Sequence, residues 1–185
     1  YMDMVVGKRP RNWWMNTTNN WNAVCLAGVT GAGLAQVERR EDRARFVAAA
    51  ELYSRNFLAG FTPDGYCSEG LGYWNYGFGH YVLLAETVAQ ATGGQVDLLA
   101  RPEARQPALF GLRIQIINGV SPAFADCSID ARPAAPTMYY LNRRFNLGLQ
   151  EYDELSPESV INTLTEALIF LFPNTLSTLE PASEG

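Results

Sequence analysis

The chain has 185 residues, with 14 Lys and Arg against 19 Asp and Glu and a formal net charge of −5. That length holds one domain with a sizeable core, and 48% hydrophobic against 18% charged residues excludes an intrinsically disordered chain. No apolar run approaches the roughly 20 residues that cross a bilayer. Three widely spaced cysteines, Cys25, Cys67 and Cys127, indicate neither a zinc site nor a disulfide scaffold, though a single bridge stays open.

The chain opens on Tyr1 with no charged segment followed by an apolar one, so a signal peptide is expected to be absent or already removed. An acidic balance argues against general nucleic-acid binding. Lys8, Arg9 and Arg11 nevertheless cluster beside Trp13 and Trp14, as a local positive surface or simply a solvated basic end.

Thr17, Thr18, Asn19 and Asn20 can cap a helix that starts near Asn20 and runs through an Ala-, Leu-, Val- and Gly-rich stretch to about Val37. Gly28, Gly31 and Gly33 in it follow no predicted strand, so close helix packing explains them better than a dinucleotide loop. A second helix is expected over 41–59, with Phe46, Ala49, Ala50, Tyr53 and Phe57 on one face and Glu41, Arg45 and Glu51 on the wet side. Thr62-Pro63-Asp64-Gly65 ends it with turn residues, and a structured Gly- and aromatic-rich loop follows through Gly79.

The next helix is expected over 76–91 and stops at Gly93-Gly94. Residues 109–117 read as a shorter helix, with a strand as the alternative because Ile114 and Ile116 alternate with polar neighbours. Pro122, Pro133 and Pro136 mark 121–136 as a long loop, followed by a short helix over 137–145 and a last one over 157–172 with Ser156 as cap and Pro157 at its first position. Helices without alternating strands place the chain in the all-α class as a single domain over 1–185; paired helices with Gly-rich connections suit an α/α barrel or toroid as well as a bundle.

Two segments concentrate chemistry: Asn19-Asn20-Trp21-Asn22 at a predicted helix start, and 64–77, which runs on to His80, the only histidine. Amides, aromatics and phenols are what a sugar cleft uses, because rings stack on apolar sugar faces while amides bond hydroxyls and carboxylates. The same residues also serve helix capping and core packing. Asp64 and Glu69 form a carboxylate pair of the type a glycoside hydrolase requires, with Asp64 reading better as a turn residue and Glu69 as a group that positions the loop or a sugar hydroxyl.

Asn19-Asn20-Trp21-Asn22-Ala23-Val24-Cys25, followed by Asp64-Gly65, Glu69-Gly70 and Gly72-Tyr73-Trp74-Asn75-Tyr76-Gly77, resembles the heparinase II/III-like and alginate-lyase-like polysaccharide lyases. Ile117-Asn118-Gly119 and Phe124-Ala125-Asp126-Cys127 extend the likeness, which spans residues 12–149. The resemblance implies part of an incomplete (α/α) toroid, lacking early helices and the β-sandwich domain that follows in complete members. It also implies β-elimination on a uronate-containing acidic polysaccharide, with no cofactor and no metal, and export to the periplasm or outside a bacterial cell.

By position the resemblance implies Asn20 as the group that neutralises the uronate carboxylate, with Asn19 and Asn22 as near alternatives, and Tyr73 as the phenol that moves a proton, with Tyr76 second. Trp21 stands where the family often has histidine. His80, one turn beyond Tyr76, would join the cleft from the helix, and Trp21, Glu69, Trp74 and Tyr76 would shape it. The family's other catalytic histidine belongs to the sheet region, outside this chain. A non-catalytic glycan-binding or structural toroid is the competing expectation, and an α/α-barrel glycoside hydrolase the other.

Overall fold

The computed structural model describes residues 1–117, 119–155 and 163–171. Among them the chain is all-α: α1 (Met2–Val5), α2 (Asn20–Gln36), α3 (Arg40–Leu58), α4 (Gly70–Ala91), α5 (Pro102–Ala108), α6 (Phe110–Arg113), α7 (Ala135–Phe145) and α8 (Leu164–Leu171). Single 3-10 turns lie at Trp13–Met15 and Gln150–Tyr152, and the one extended pairing is an isolated bridge between Ile117 and Val120. No described helix is long and apolar enough to cross a membrane.

α2 is the axis of the fold, packed chiefly on α4 and α3. It starts where the Asn19 side chain accepts the Trp21 N–H at 3.2 Å, filling one of the donors a helix start leaves open. α3 carries Glu41 and Asp42 in its first turn and Arg55 in its last, matching the helix dipole. Its buried stripe is the expected one, Phe46, Ala49, Ala50, Tyr53 and Phe57. Phe57 meets Phe61, Phe78 and Tyr81 in an aromatic centre, and the Tyr81 hydroxyl donates to the Leu98 carbonyl at 2.7 Å.

Several expectations are corrected. α4 begins at Gly70, not Tyr76, so the glycine- and aromatic-rich stretch is the first two turns of a helix rather than a loop. Tertiary burial overrides the weak helix propensity of its glycines. At Gly77 α4 comes close against α2: a Cβ there would lie 2.9 Å from Asn20 Cβ. In α2 only Gly33 serves close packing, against the Phe46 ring, while Gly28 and Gly31 face open space.

Of the expected helix over 109–117 only the four residues of α6 are helical, and it is preceded by a helix not expected from the sequence, α5, opened by Pro102. The loop 121–134 is irregular as expected, and α7 starts two residues early with Pro136 in its first turn. α8 is started by a reciprocal cap, Thr163 Oγ1 accepting the Glu166 N–H while the Glu166 carboxylate accepts the Thr163 N–H, both at 3.1 Å. The expected start of this helix at Ser156 and Pro157, and its end at Phe172, lie outside the described residues. All three cysteines are free thiols.

Candidate functional site

Glu69 joins the two chemistry-bearing segments. It sits immediately before α4 without capping it; its carboxylate reaches α2 instead, accepting the Asn20 backbone N–H at 3.2 Å and the Asn20 side-chain amide at 3.4 Å. A carboxylate at a helix N-terminus is favoured by the open N–H groups there. The contact spans 49 residues of sequence and buries Asn20 to 4% exposure.

One turn into α4, Tyr73 stands 37% exposed. It shares a small cavity of about 80 Å³ with Asn19, Cys67 and Glu69. Burial pushes the Cys67 thiol up to about 11, which leaves it protonated and a poor nucleophile. The Tyr73 phenol is raised above its ordinary value of 10, first by the nearby Asp126 carboxylate, then by desolvation and by the charge of Glu69. Tyr73 is thus a neutral phenol at neutral pH, suited to giving a proton rather than taking one.

Asp126 reaches Tyr73 from the loop 121–134. That loop rests on Gly70, whose missing side chain leaves room for the Phe124 carbonyl and whose φ of +82° turns the chain into α4. Tyr66 stacks on Phe124 with ring centres 5.8 Å apart, and Ala125 turns the loop at φ +52°, a left-handed conformation rare for alanine. Asn75 fastens the far end: its Nδ2 donates to the Arg132 carbonyl and its Oδ1 accepts the Ala134 N–H, both at 2.8 Å. Asn75→Ala is therefore expected to cost about 1–2 kcal/mol and to speed amide exchange across 121–134. Urea unfolding and hydrogen exchange check this, and unchanged exchange would remove Asn75 from that role.

The other expected residues separate. Asn22 is fully buried, donating to the Trp14 and Met15 carbonyls, and Trp74 is fully buried in the core; both belong to the interior and not to a sugar-facing surface. Trp21 is 51% exposed and meets Trp13 edge-to-face at 5.9 Å, so it extends an open aromatic rim at the α2 start. Asp64 is held in its turn by the Thr62 hydroxyl, which also accepts the Tyr66 N–H, as its reading as a turn residue expects. At the basic end, Arg11 lies over the Tyr53 ring at 5.5 Å and Trp14 stacks on Tyr1.

Tyr76 and His80 lie one and two turns further along α4 than Tyr73 and line a separate cavity of about 190 Å³ between α4, α7 and α8, with Thr137 and Thr165. The His80 Nδ1–H donates to the Tyr76 carbonyl at 2.7 Å, which fixes the tautomer and leaves Nε2 to accept the Thr165 hydroxyl at 3.2 Å. Both ring nitrogens are engaged and the ring meets Tyr76 edge-on at 4.7 Å, so His80 shares the face of Tyr76 as expected, in a cavity that Tyr73 and Asn20 do not line. Burial lowers the His80 pKa below 6.5, opposed by the Tyr76 bond.

A histidine with a depressed folded pKa contributes stability that is complete above about 6.5 and is lost as pH falls below that value and through the folded one. The melting temperature is expected to fall more steeply on acidification below pH 6.5 in the wild type than in His80→Gln. Equal slopes would show that His80 titrates as it does in the unfolded chain.

Sequence reasoning assigned no role to Asp126 and Asn75. The only signal for them was position: Asp126 lies in the resembling Phe124–Cys127 segment and Asn75 inside Tyr73–Gly77. Among the described residues no cluster of three His, Cys, Asp or Glu is placed to hold a metal. Compared with known proteins, the chain matches no family model and no curated protein sequence.

Proposed function

We propose that this chain is the helical, toroid-type part of a polysaccharide lyase that cleaves uronate-containing acidic glycans by β-elimination. The observation that carries the reading is the meeting of an exposed phenol, Tyr73, with the Glu69 carboxylate and the Asn20 start of α2, beside the exposed ring of Trp21. Trp21 offers a face for a sugar ring. Tyr73, kept protonated by Asp126 and Glu69, gives its proton to the departing glycosidic oxygen.

The uronate carboxylate must be hydrogen-bonded as charge develops at C5, and Asn20 with Asn19 supplies amides for this once the bound sugar displaces the Glu69 carboxylate. The C5 base is assigned to the histidine that the resemblance places in a following β-sandwich region. The same resemblance supports a periplasmic or secreted setting.

A second reading, glycan binding without turnover, is favoured by one observation: the Asn20 amide is buried and engaged by Glu69. The two are separated by incubating the protein, alone and joined to its following region, with heparan-, chondroitin- and alginate-type chains. Elimination yields unsaturated products that absorb in the ultraviolet. Reducing ends without that absorbance mean hydrolysis, and binding without either product means the second reading is correct.

A further inference from the structure

At the opposite end of α2 from Asn20, about 20 Å away at 1.5 Å per residue, a groove of about 820 Å³ runs between α3 and α4 across Leu34. Arg40 and Arg43 of α3 line one wall, three residues apart on the stripe that continues through Ala44 and Val47; Thr87, Gln90 and Gln95 line the other. No Asp or Glu lines it.

Within α3 the pairing of the arginines is uneven. On the same helix Arg39 and Arg45 both pair with Asp42, at 3.7 and 2.8 Å, and Arg55 pairs with Glu103. Arg101 is bonded to Ser54 and to the Glu51 carbonyl, and Arg144 to Asp97. Arg40 and Arg43 have no hydrogen bond or ion pair from their side chains among the described residues. Thr87 and Gln95 likewise leave their side-chain polar atoms unengaged there, and Gln90 uses its amide nitrogen on Glu86 while its carbonyl oxygen stays open.

We infer that this groove is a second polyanion-binding surface, one that holds a stretch of an acidic polysaccharide distant from Tyr73. Two fork-shaped cations a turn apart match carboxylates or sulfates repeated along a glycan, and the amide and hydroxyl groups opposite match its hydroxyls. A single-stranded nucleic acid is the weaker fit, because its bases need aromatic platforms and no aromatic side chain lines the groove. The inference rests on the acidic-glycan reading above for the identity of its ligand, but not on catalysis.

The test is calorimetric binding of long and of four-sugar heparin-type and alginate-type oligosaccharides to the wild type, to Arg40→Gln/Arg43→Gln and to Arg40→Lys/Arg43→Lys. The glutamine pair is expected to weaken long-chain binding about tenfold or more and to flatten its salt dependence, while four-sugar chains held near Tyr73 bind as before. The lysine pair keeps most of the affinity, and both arginines are exposed, so the fold is retained, as circular dichroism checks.

Wild-type affinity and salt slope in the glutamine pair, or no binding of any acidic glycan to the wild type, overturns the inference. So does inorganic sulfate binding as tightly as the long chain, or a single-stranded oligonucleotide binding more tightly than the glycan. If the glutamine pair loses long-chain binding yet the wild type makes no unsaturated product, the groove stands and the lyase reading fails; unsaturated product with unaltered binding in the glutamine pair gives the reverse.

Discussion

Tyr73→Phe is expected to lower formation of unsaturated uronate products by roughly two to four orders of magnitude, the usual contribution of a positioned acid or base, with no loss of stability. The hydroxyl that is removed lies at the surface and the ring that remains keeps its packing on α4. Because Asp126 and Glu69 hold the phenol protonated, the wild-type rate should rise only as the histidine assigned as the C5 base loses its proton, at about pH 6.5, then stay level where a phenolate base would keep it climbing, and decline where the phenol ionises, above its ordinary value of 10. Asp126→Asn removes the largest cause of the shift and moves that decline to lower pH. A rate that keeps rising with pH well beyond the histidine range and is lost in Tyr73→Phe would make Tyr73 the base. An unaltered rate in Tyr73→Phe would remove it from the chemistry.

What could be read from the sequence divides along a physical line. α2 and α3 came out within two residues of their ends because each signals itself locally, α2 through the Asn19 cap and α3 through a clean apolar stripe. α4 lost its first two turns because Gly70, Gly72 and Gly77 are poor helix formers in isolation, and what stabilises them is contact with α2 and the 124–127 loop, over 50 residues distant in each direction. That error propagated to the site. Once the helix is carried back to Gly70, its 3.6-residue period puts Trp74 on the buried stripe of Phe78, Tyr81 and Ala85, and leaves Tyr73, Tyr76 and His80 on the adjoining sector in successive turns. The residue types around the site were legible; the Glu69 bridge to Asn20 and the Asp126 contact to Tyr73 were not, because neither is local.

The same geometry makes Trp74 the position where the fold is most exposed to a single change. Its ring is fully buried, stacks on Phe78 with centres 5.6 Å apart and planes 9° from parallel, and meets Phe110 at 6.1 Å. Its Nε1–H donates to the Pro107 carbonyl at 2.8 Å, so one side chain ties α4 to the α5–α6 turn. Trp74→Ala opens a cavity and strands that carbonyl, a loss of about 4 kcal/mol. At this chain length that corresponds to a melting temperature lower by about 10 °C. Trp74→Phe keeps most of the stack and loses the hydrogen bond, about 1–2 kcal/mol. Thermal unfolding followed by circular dichroism measures both, and the decisive comparison is with glycan turnover at a temperature where Trp74→Phe is folded. If Trp74 only packs, that variant retains wild-type turnover; a variant as stable as the wild type but impaired in turnover would return Trp74 to the sugar-binding surface and require α4 to expose it on binding.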